Sequence, residues 1–134
     1  MRVIVSDPIS EEGLRIFKDN NIEVINANGE NIDENFSHVK TANGWIIRSG
    51  TILDSKIIEK AENLSVIGRA GVGVDNIDIS AATRRGIVVM NTPDANTISA
   101  AEHTMALILA LSRNVSSGHS GLSKGEWNRH LLIG

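Results

Sequence analysis

The stretch from Val66 to Asp78, Val-Ile-Gly-Arg-Ala-Gly-Val-Gly-Val-Asp-Asn-Ile-Asp, constrains the fold more than any other part of the chain. An apolar run ends at Gly68, a tight turn contains Gly71 and Gly73, and Asp78 is placed to cap a following helix. A strand, a loop that exposes its backbone and a helix start, in that order, can hold an anion on main-chain N–H groups. Arg69 adds a positive charge beside them. The stretch therefore predicts the floor of a site for a small carboxylate.

Two other interpretations of the same turn need to be weighed. Gly71-Val72-Gly73 begins like the dinucleotide fingerprint G-x-G-x-x-G, but the position of the third glycine holds Asn76. Asp94 follows roughly 20 residues on, as the fingerprint requires, yet it comes after Pro93 in a loop instead of ending a strand. The pattern does not favour a dinucleotide site here. A structural turn without any ligand stays open.

Short apolar runs alternate with helical patterns over the first two thirds of the chain. Strands are expected at residues 2–6, 22–25, 44–47, 65–68 and 87–90. Helices are expected after Ser10, after Asp54 and from Asp78 to Gly86, with a weak helix across 36–42. Buried β-branched strands separated by helices predict an α/β fold with a doubly wound, parallel, five-stranded sheet.

The alternation of strand and helix patterns stops at residues 91–97, which look like a hinge. Ser99-Ala100-Ala101-Glu102 has the pattern of a capping box, and it predicts the start of the longest helix, which runs to about Arg113. That helix is apolar nearly all round, so it needs partners on several sides. Trp127 and the apolar residues 131–133 have nothing obvious in the sequence to cover them.

Composition excludes several classes of function. A net charge of −3, the absence of Tyr and the lack of a basic run argue against nucleic acid as a partner. The absence of Cys excludes disulfides, thiol catalysis and thiolate metal sites. The longest apolar segment, residues 106–111, is too short to span a membrane, and the strand pattern starting at Arg2 leaves no signal peptide. A cytoplasmic protein without a membrane partner is expected.

Polar residues follow three neighbouring strands of the predicted sheet. They are Arg48, Ser49 and Gly50 after the third strand, Arg69 with the 71–73 turn after the fourth, and Asn91, Thr92 and Asn96 after the fifth. Ligands of parallel sheets bind beyond the carboxyl ends of the strands, so these residues predict a pocket for a doubly anionic metabolite. The four histidines, His103 among them, show no metal-ligand spacing, and no G-x-S-x-G motif occurs. No metal site and no catalytic residue are predicted.

Five segments in order resemble the D-2-hydroxyacid dehydrogenase family. They are Ile46-Ile47-Arg48-Ser49, the 66–78 stretch, Ala81-Ala82-Thr83-Arg84-Arg85-Gly86-Ile87, Asn91-Thr92-Pro93 with Asn96, and Ala100-Ala101-Glu102-His103-Thr104. The resemblance covers essentially the whole chain. The Arg-Ala-Gly-Val-Gly-Val-Asp-Asn run and the Gly125-Glu126-Trp127 tail look most like family members that oxidise 3-phosphoglycerate with NAD in serine biosynthesis.

The resemblance implies a division of the chain and roles for particular residues. Residues 1–97 would be most of a flavodoxin-like substrate domain, and residues 98–134 the first helix and dimerisation arm of an incomplete Rossmann domain. The implied substrate-binding residues are Arg48, Ser49, Arg69, Gly71, Val72, Gly73 and Asn96, and the implied cofactor-binding residues are Val72 and Thr104. Arg129 would reach the site of a partner subunit, with a homodimer formed through the C-terminal helices.

The family's own dinucleotide fingerprint and its catalytic Arg, Glu and His have no counterparts in these 134 residues. The chain is therefore expected to be inactive alone and to bind NAD poorly. Two alternatives remain: a free-standing module that binds an anionic metabolite, and a scaffold that only dimerises.

Overall fold

A computed structural model describes residues 1–133, which cluster into two compact units. The first unit is Met1–Ala95, and the second begins at Asn96. The strands are β1 (Arg2–Val5), β2 (Glu23–Asn26), β3 (Gly44–Ile47), β4 (Val66–Arg69) and β5 (Val88–Asn91). The helices are α1 (Glu11–Asp19), α2 (Ser55–Lys60), α3 (Ile79–Arg84), α4 (Thr97–Ser112) and α5 (Val115–Ser123), followed by a short 3-10 helix at Arg129–Leu131.

The five strands form one parallel sheet in the order β2-β1-β3-β4-β5. This is the flavodoxin-like strand order, so the predicted α/β fold is confirmed. All five predicted strands are present, with ends that differ by no more than one residue. The cause is visible in the sequence, since each strand is a run of mostly β-branched residues bounded by polar or glycine residues.

Most of the core lies on one face of this sheet, while Val3 and Val5 are buried on the other face. The register aligns a single row of side chains across all five strands, in the order Ile25, Ile4, Trp45, Ile67 and Val89. The three central members of the row are fully buried, and the two at the sheet edges are partly buried. Helices α2 and α3 contribute Ile57, Ile58, Ala81 and Ala82 to the same cluster. Burial of this row holds the strand ends, and the loops that follow them, in a fixed arrangement.

Side-chain caps start the three helices of the first unit. Ser10, Asp54 and Asp78 accept hydrogen bonds from the third residue beyond each of them, at 3.2, 3.0 and 2.8 Å. The predicted caps at Asp54 and Asp78 are confirmed. Gly86 follows α3 with a φ of +66°, which is the left-handed backbone that a glycine stop provides.

Two local predictions were wrong. Helix α4 begins at Thr97, where the Ala100 N–H donates to the Asn96 carbonyl, so Ser99 and Glu102 lie inside the helix and form no capping box. Residues 36–42 form successive turns instead of a helix. Short-range bonds compete with helix formation there, among them the Asn35 N–H to the Asp33 carboxylate at 2.7 Å.

The second unit exposes most of its apolar side chains. Along α4, Ile98 and Leu111 are 75% and 81% exposed, and Trp127 beyond α5 is 74% exposed. No helix within residues 1–133 is both long and apolar enough to cross a membrane.

Candidate functional site

The carboxyl edge of the sheet brings together most of the polar residues that the sequence singled out. Ile47, the last residue of β3, pairs with Arg69, and Arg69 pairs with Asn91 at the end of β5. Arg48 and Ser49 follow β3 directly and are exposed, and the 71–73 turn follows β4. These residues all lie in the first unit. Their placement follows from the parallel topology, because neighbouring parallel strands end at the same edge.

The glycine turn after β4 is tied to the loop after β5. The Thr92 N–H donates to the Gly71 carbonyl at 2.9 Å, and the Asn91 amide donates to the Val72 carbonyl at 2.7 Å. Within residues 1–133 no acceptor takes the N–H of Val72 or of Gly73. The carbonyls of Gly71 and Val72 are therefore bound by protein donors, whereas the N–H groups of Val72 and Gly73 are available for an anion.

Both turn glycines have an additional reason to be glycine. A Cβ at Gly71 would overlap the guanidinium of Arg69, which folds back over that residue, and a Cβ at Gly73 would lie 2.7 Å from the Asp75 carboxylate. The sequence predicted these glycines as room for a ligand. The structure shows that they also make room for side chains of the turn itself, which packs Arg69 against the backbone.

Neither arginine at this edge has a carboxylate partner among the described residues, 1–133. The four ion pairs within residues 1–133 involve other cations. Arg69 is partly buried, and its Nε is buried without a hydrogen-bond partner among the described residues. Arg48 is exposed, and its Nη1 lies 3.5 Å from the Pro8 carbonyl. Two guanidinium groups with unused donors beside free N–H groups suit a ligand with two anionic groups.

A buried polar network lies directly beneath Arg48. The Asp7 carboxylate is 8% exposed and accepts the N–H groups of Arg48 at 2.6 Å and of Thr51 at 3.1 Å. Ser6 accepts the Trp45 indole N–H at 3.0 Å and the Thr51 hydroxyl at 2.9 Å. This network was not predicted from the sequence. The available signal was the polar Ser6-Asp7 pair directly after the apolar run of β1.

The role of Asn76 was also not predicted from the sequence, where this residue only marks the absence of the third glycine of the dinucleotide fingerprint. In the structure its side-chain nitrogen donates to the carbonyls of Arg48 and Thr51, both at 2.6 Å. It thereby joins the loop after β3 to the segment after β4.

The remaining predicted residues lie in the second unit. Asn96 is exposed and precedes α4 without a side-chain cap bond, and the Thr104 hydroxyl donates to the Ala100 carbonyl at 2.8 Å within α4. His103 is exposed on the same helix, and Arg129 begins the 3-10 helix. The roles proposed for these residues stay predictions.

Two further observations describe the electrostatics of the chain. At the amino-terminal edge of the sheet, Lys40 and Glu62 form a 2.8 Å ion pair. Their hydrogen bond and opposite charges raise the pKa of Lys40 and lower the pKa of Glu62. Residues 1–133 contain no group of three metal-binding side chains close enough to share an ion.

Comparison with known proteins gives consistent matches along the chain. The sequence profile described as "D-isomer specific 2-hydroxyacid dehydrogenase, catalytic domain" matches residues 3–126. The D-3-phosphoglycerate dehydrogenase of Archaeoglobus fulgidus is 46% identical over 134 residues, which are 100% of this chain and 25% of that protein. That of Methanocaldococcus jannaschii is 47% identical over 135 residues, with the same two coverages.

A solved structure agrees with these matches. The NAD+-bound 3-phosphoglycerate dehydrogenase of Entamoeba histolytica is 33% identical, with a TM-score of 0.74 over 84% of this chain and 39% of that one. The chain spans about a quarter of the length of the curated relatives that it matches.

Proposed function

Since the chain belongs to the D-isomer specific 2-hydroxyacid dehydrogenase family, we propose that it is the N-terminal part of an NAD-dependent D-3-phosphoglycerate dehydrogenase. The whole enzyme would oxidise 3-phosphoglycerate to 3-phosphohydroxypyruvate in serine biosynthesis, in the cytoplasm. Support comes from relatives that carry this name and are 46% and 47% identical over the full length of this chain.

The observation that carries the proposal is the pair of arginines without ion-pair partners beside a turn with free N–H groups. We assign Arg48 and Arg69 to the two anionic groups of the substrate, and the free N–H groups of Val72 and Gly73 in the 71–73 turn to its carboxylate. Guanidinium groups bind both phosphate and carboxylate through paired hydrogen bonds. Ser49 and Asn96 would add polar contacts to the bound substrate.

The NAD assignment applies to the whole enzyme. Within this chain we assign only Val72, which is 40% exposed at the turn, and Thr104 to the cofactor. The Thr104 hydroxyl already donates within its helix, and the sequence contains no complete G-x-G-x-x-G motif. We therefore propose that this chain alone binds NAD poorly. We propose that residues 98–134 only begin the nucleotide-binding domain, with residues 1–97 as the substrate domain.

The proposal predicts that this chain alone does not turn over substrate. Within residues 1–133, no histidine pairs with a carboxylate that could orient it as a general base. Exposed apolar residues on α4 favour a homodimer through the C-terminal helices. A free-standing anion-binding module and a dimerising scaffold are the competing functions, and the natural length of the polypeptide, measured by intact mass, separates both of them from a longer enzyme.

Substrate binding is tested by titrating 3-phosphoglycerate into the natural full-length polypeptide and into Arg69→Ala. Loss of a charge-assisted hydrogen bond should weaken binding by about 1.5–3 kcal/mol. Arg84→Ala is the matched control, because Arg84 is an exposed arginine on α3 whose nearest carboxylate is Glu59 at 3.5 Å. Equal affinities of wild type and Arg69→Ala would refute the assignment of Arg69. If the wild type does not bind 3-phosphoglycerate, the proposed substrate is refuted.

A further inference from the structure

Asn76 makes two hydrogen bonds that reach across the site. Its Nδ2 donates to the carbonyl oxygens of Arg48 and Thr51, each at 2.6 Å. Because both partners are acceptors, the NH₂ end of the amide must face them, which fixes its orientation. Arg48 and Thr51 both lie in the loop that follows β3, at its first and fourth positions. Asn76 itself belongs to the segment between β4 and α3, which also contains the 71–73 turn.

The same loop is held from its other side by Asp7, which follows β1. Asp7 accepts the N–H groups of Arg48 and Thr51, the two residues whose carbonyls Asn76 binds. A Cβ at Gly50, between them, would collide with the Asp7 carboxylate. Arg48 and Thr51 are thus each bound once through the N–H and once through the carbonyl. The backbone that carries Arg48 has little freedom left.

We propose that Asn76 is a positioning residue that fixes Arg48 relative to the glycine turn before the substrate arrives. This inference rests on the proposed function, because it assumes that Arg48 and the turn bind one ligand. Within residues 1–133, Asn76 provides the side-chain hydrogen bonds between the two segments, beside backbone bonds at Leu53. The Oδ1 of Asn76 is buried and accepts no hydrogen bond within residues 1–133. Burying an oxygen without a donor costs free energy, and Asn76 keeps its position in spite of that cost. Fixing both segments in advance removes an ordering cost from binding.

The test compares Asn76→Ala with Asn63→Ala in the natural full-length polypeptide. Asn63 is a matched control because its Nδ2 also donates to a backbone carbonyl, that of Lys40 at 2.7 Å, but before β4 and so at the opposite end of that strand. The measurements are kcat, KM for 3-phosphoglycerate, KM for NAD and the midpoint of urea unfolding. Asn76→Ser, which keeps one hydroxyl donor, replaces Asn76→Ala if that variant does not fold.

We expect Asn76→Ala to raise KM for 3-phosphoglycerate by about tenfold to a hundredfold, the range that misplacement of a binding group produces. KM for NAD should change less than twofold, and Asn63→Ala should leave both constants unchanged at a similar loss of stability. Asn76→Ser should fall between wild type and Asn76→Ala.

Two different failures can be told apart. A wild type with no activity on 3-phosphoglycerate overturns the proposed function. An active wild type whose Asn76 variants match Asn63→Ala in KM overturns the positioning role alone. A parallel rise in both KM values would also overturn it, because general destabilisation affects the two ligands alike.

Discussion

Gly71 shows how a single hydrogen in place of a side chain shapes this edge of the sheet. Arg69 folds over Gly71 so closely that a Cβ there would overlap its guanidinium. Arg69 therefore depends on its neighbour for its position. An arginine displaced from the turn keeps its charge but loses its alignment with the free N–H groups, and alignment is what a bidentate contact requires.

We expect Gly71→Ala to weaken 3-phosphoglycerate binding about tenfold or more, as for loss of one charge-assisted hydrogen bond, while the fold is retained. The turn is at the surface, so Arg69 can swing into solvent instead of disrupting the core. Gly13→Ala is the control, since a Cβ there meets Ile9 and Ser10 at ordinary contact distances within α1. Isothermal titration of the full-length protein measures the difference. Unchanged affinity in Gly71→Ala would show that Arg69 does not need this position.

The sequence could predict the backbone of the site but not its side-chain hydrogen bonds. Arg48, Arg69 and the glycine turn follow buried strands, so parallel topology places them at one edge. The bonds of Asn76 and Asp7 join residues 25 to 44 positions apart, and they depend on loop shapes that no local pattern encodes. Local propensity was sufficient for Asp78, whose cap bond spans only three residues.

At the scale of elements, Arg85 connects α2 with α3. Its guanidinium donates to the carbonyls of Glu59, Ala61 and Glu62, and the Glu59 carbonyl lies in the last turn of α2. A cation at this position also interacts favourably with the helix dipole. The helix predicted from Asp78 to Gly86 placed Arg85 near its own end, but the hydrogen-bond partners of Arg85 lie at the end of α2 and just beyond it.

We expect Arg85→Ala to lower the free energy of unfolding by about 1–2 kcal/mol, because charged hydrogen bonds to helix-end carbonyls are lost. The adjacent Arg84→Ala should change it by less than about 0.5 kcal/mol, since its exposed contact with Glu59 is an ordinary surface ion pair. Urea denaturation of the two variants provides the comparison. Equal effects would mean that net charge, and not the capping geometry, stabilises the α2–α3 pair.

Elements also explain why the start of α4 was misjudged. The Ser99–Glu102 pattern matches a capping box, but Thr97 and Ile98 are compatible with helix, and the bond from the Ala100 N–H to the Asn96 carbonyl at 2.8 Å closes a turn earlier. A cap motif marks where a helix can start. The actual start depends on where the non-helical residues upstream end, and here those are residues 91–95.

At the scale of the whole molecule, the first unit has a buried core and the second has very little of one. The core cluster of buried residues runs from Ile4 to Ile87, and none of the helices after Ala95 contains a buried residue. A 16-residue helix with most of its leucines exposed is unusual for a surface that faces only water. Association with further protein surface is the simplest way to cover it.

We expect the full-length protein to be a dimer that the pair of changes Leu107→Lys and Leu111→Lys disrupts. These side chains are 56% and 81% exposed, and replacing two interface leucines by lysine should cost about 3 kcal/mol or more of association free energy. Ile52→Lys is the control, because Ile52 is 65% exposed in the first unit, outside the C-terminal helices. Sedimentation velocity should show a dimer for wild type and Ile52→Lys, and a monomer for the double variant. A monomeric wild type, or a dimer that survives both lysines, would mean that α4 is covered by other parts of the same polypeptide.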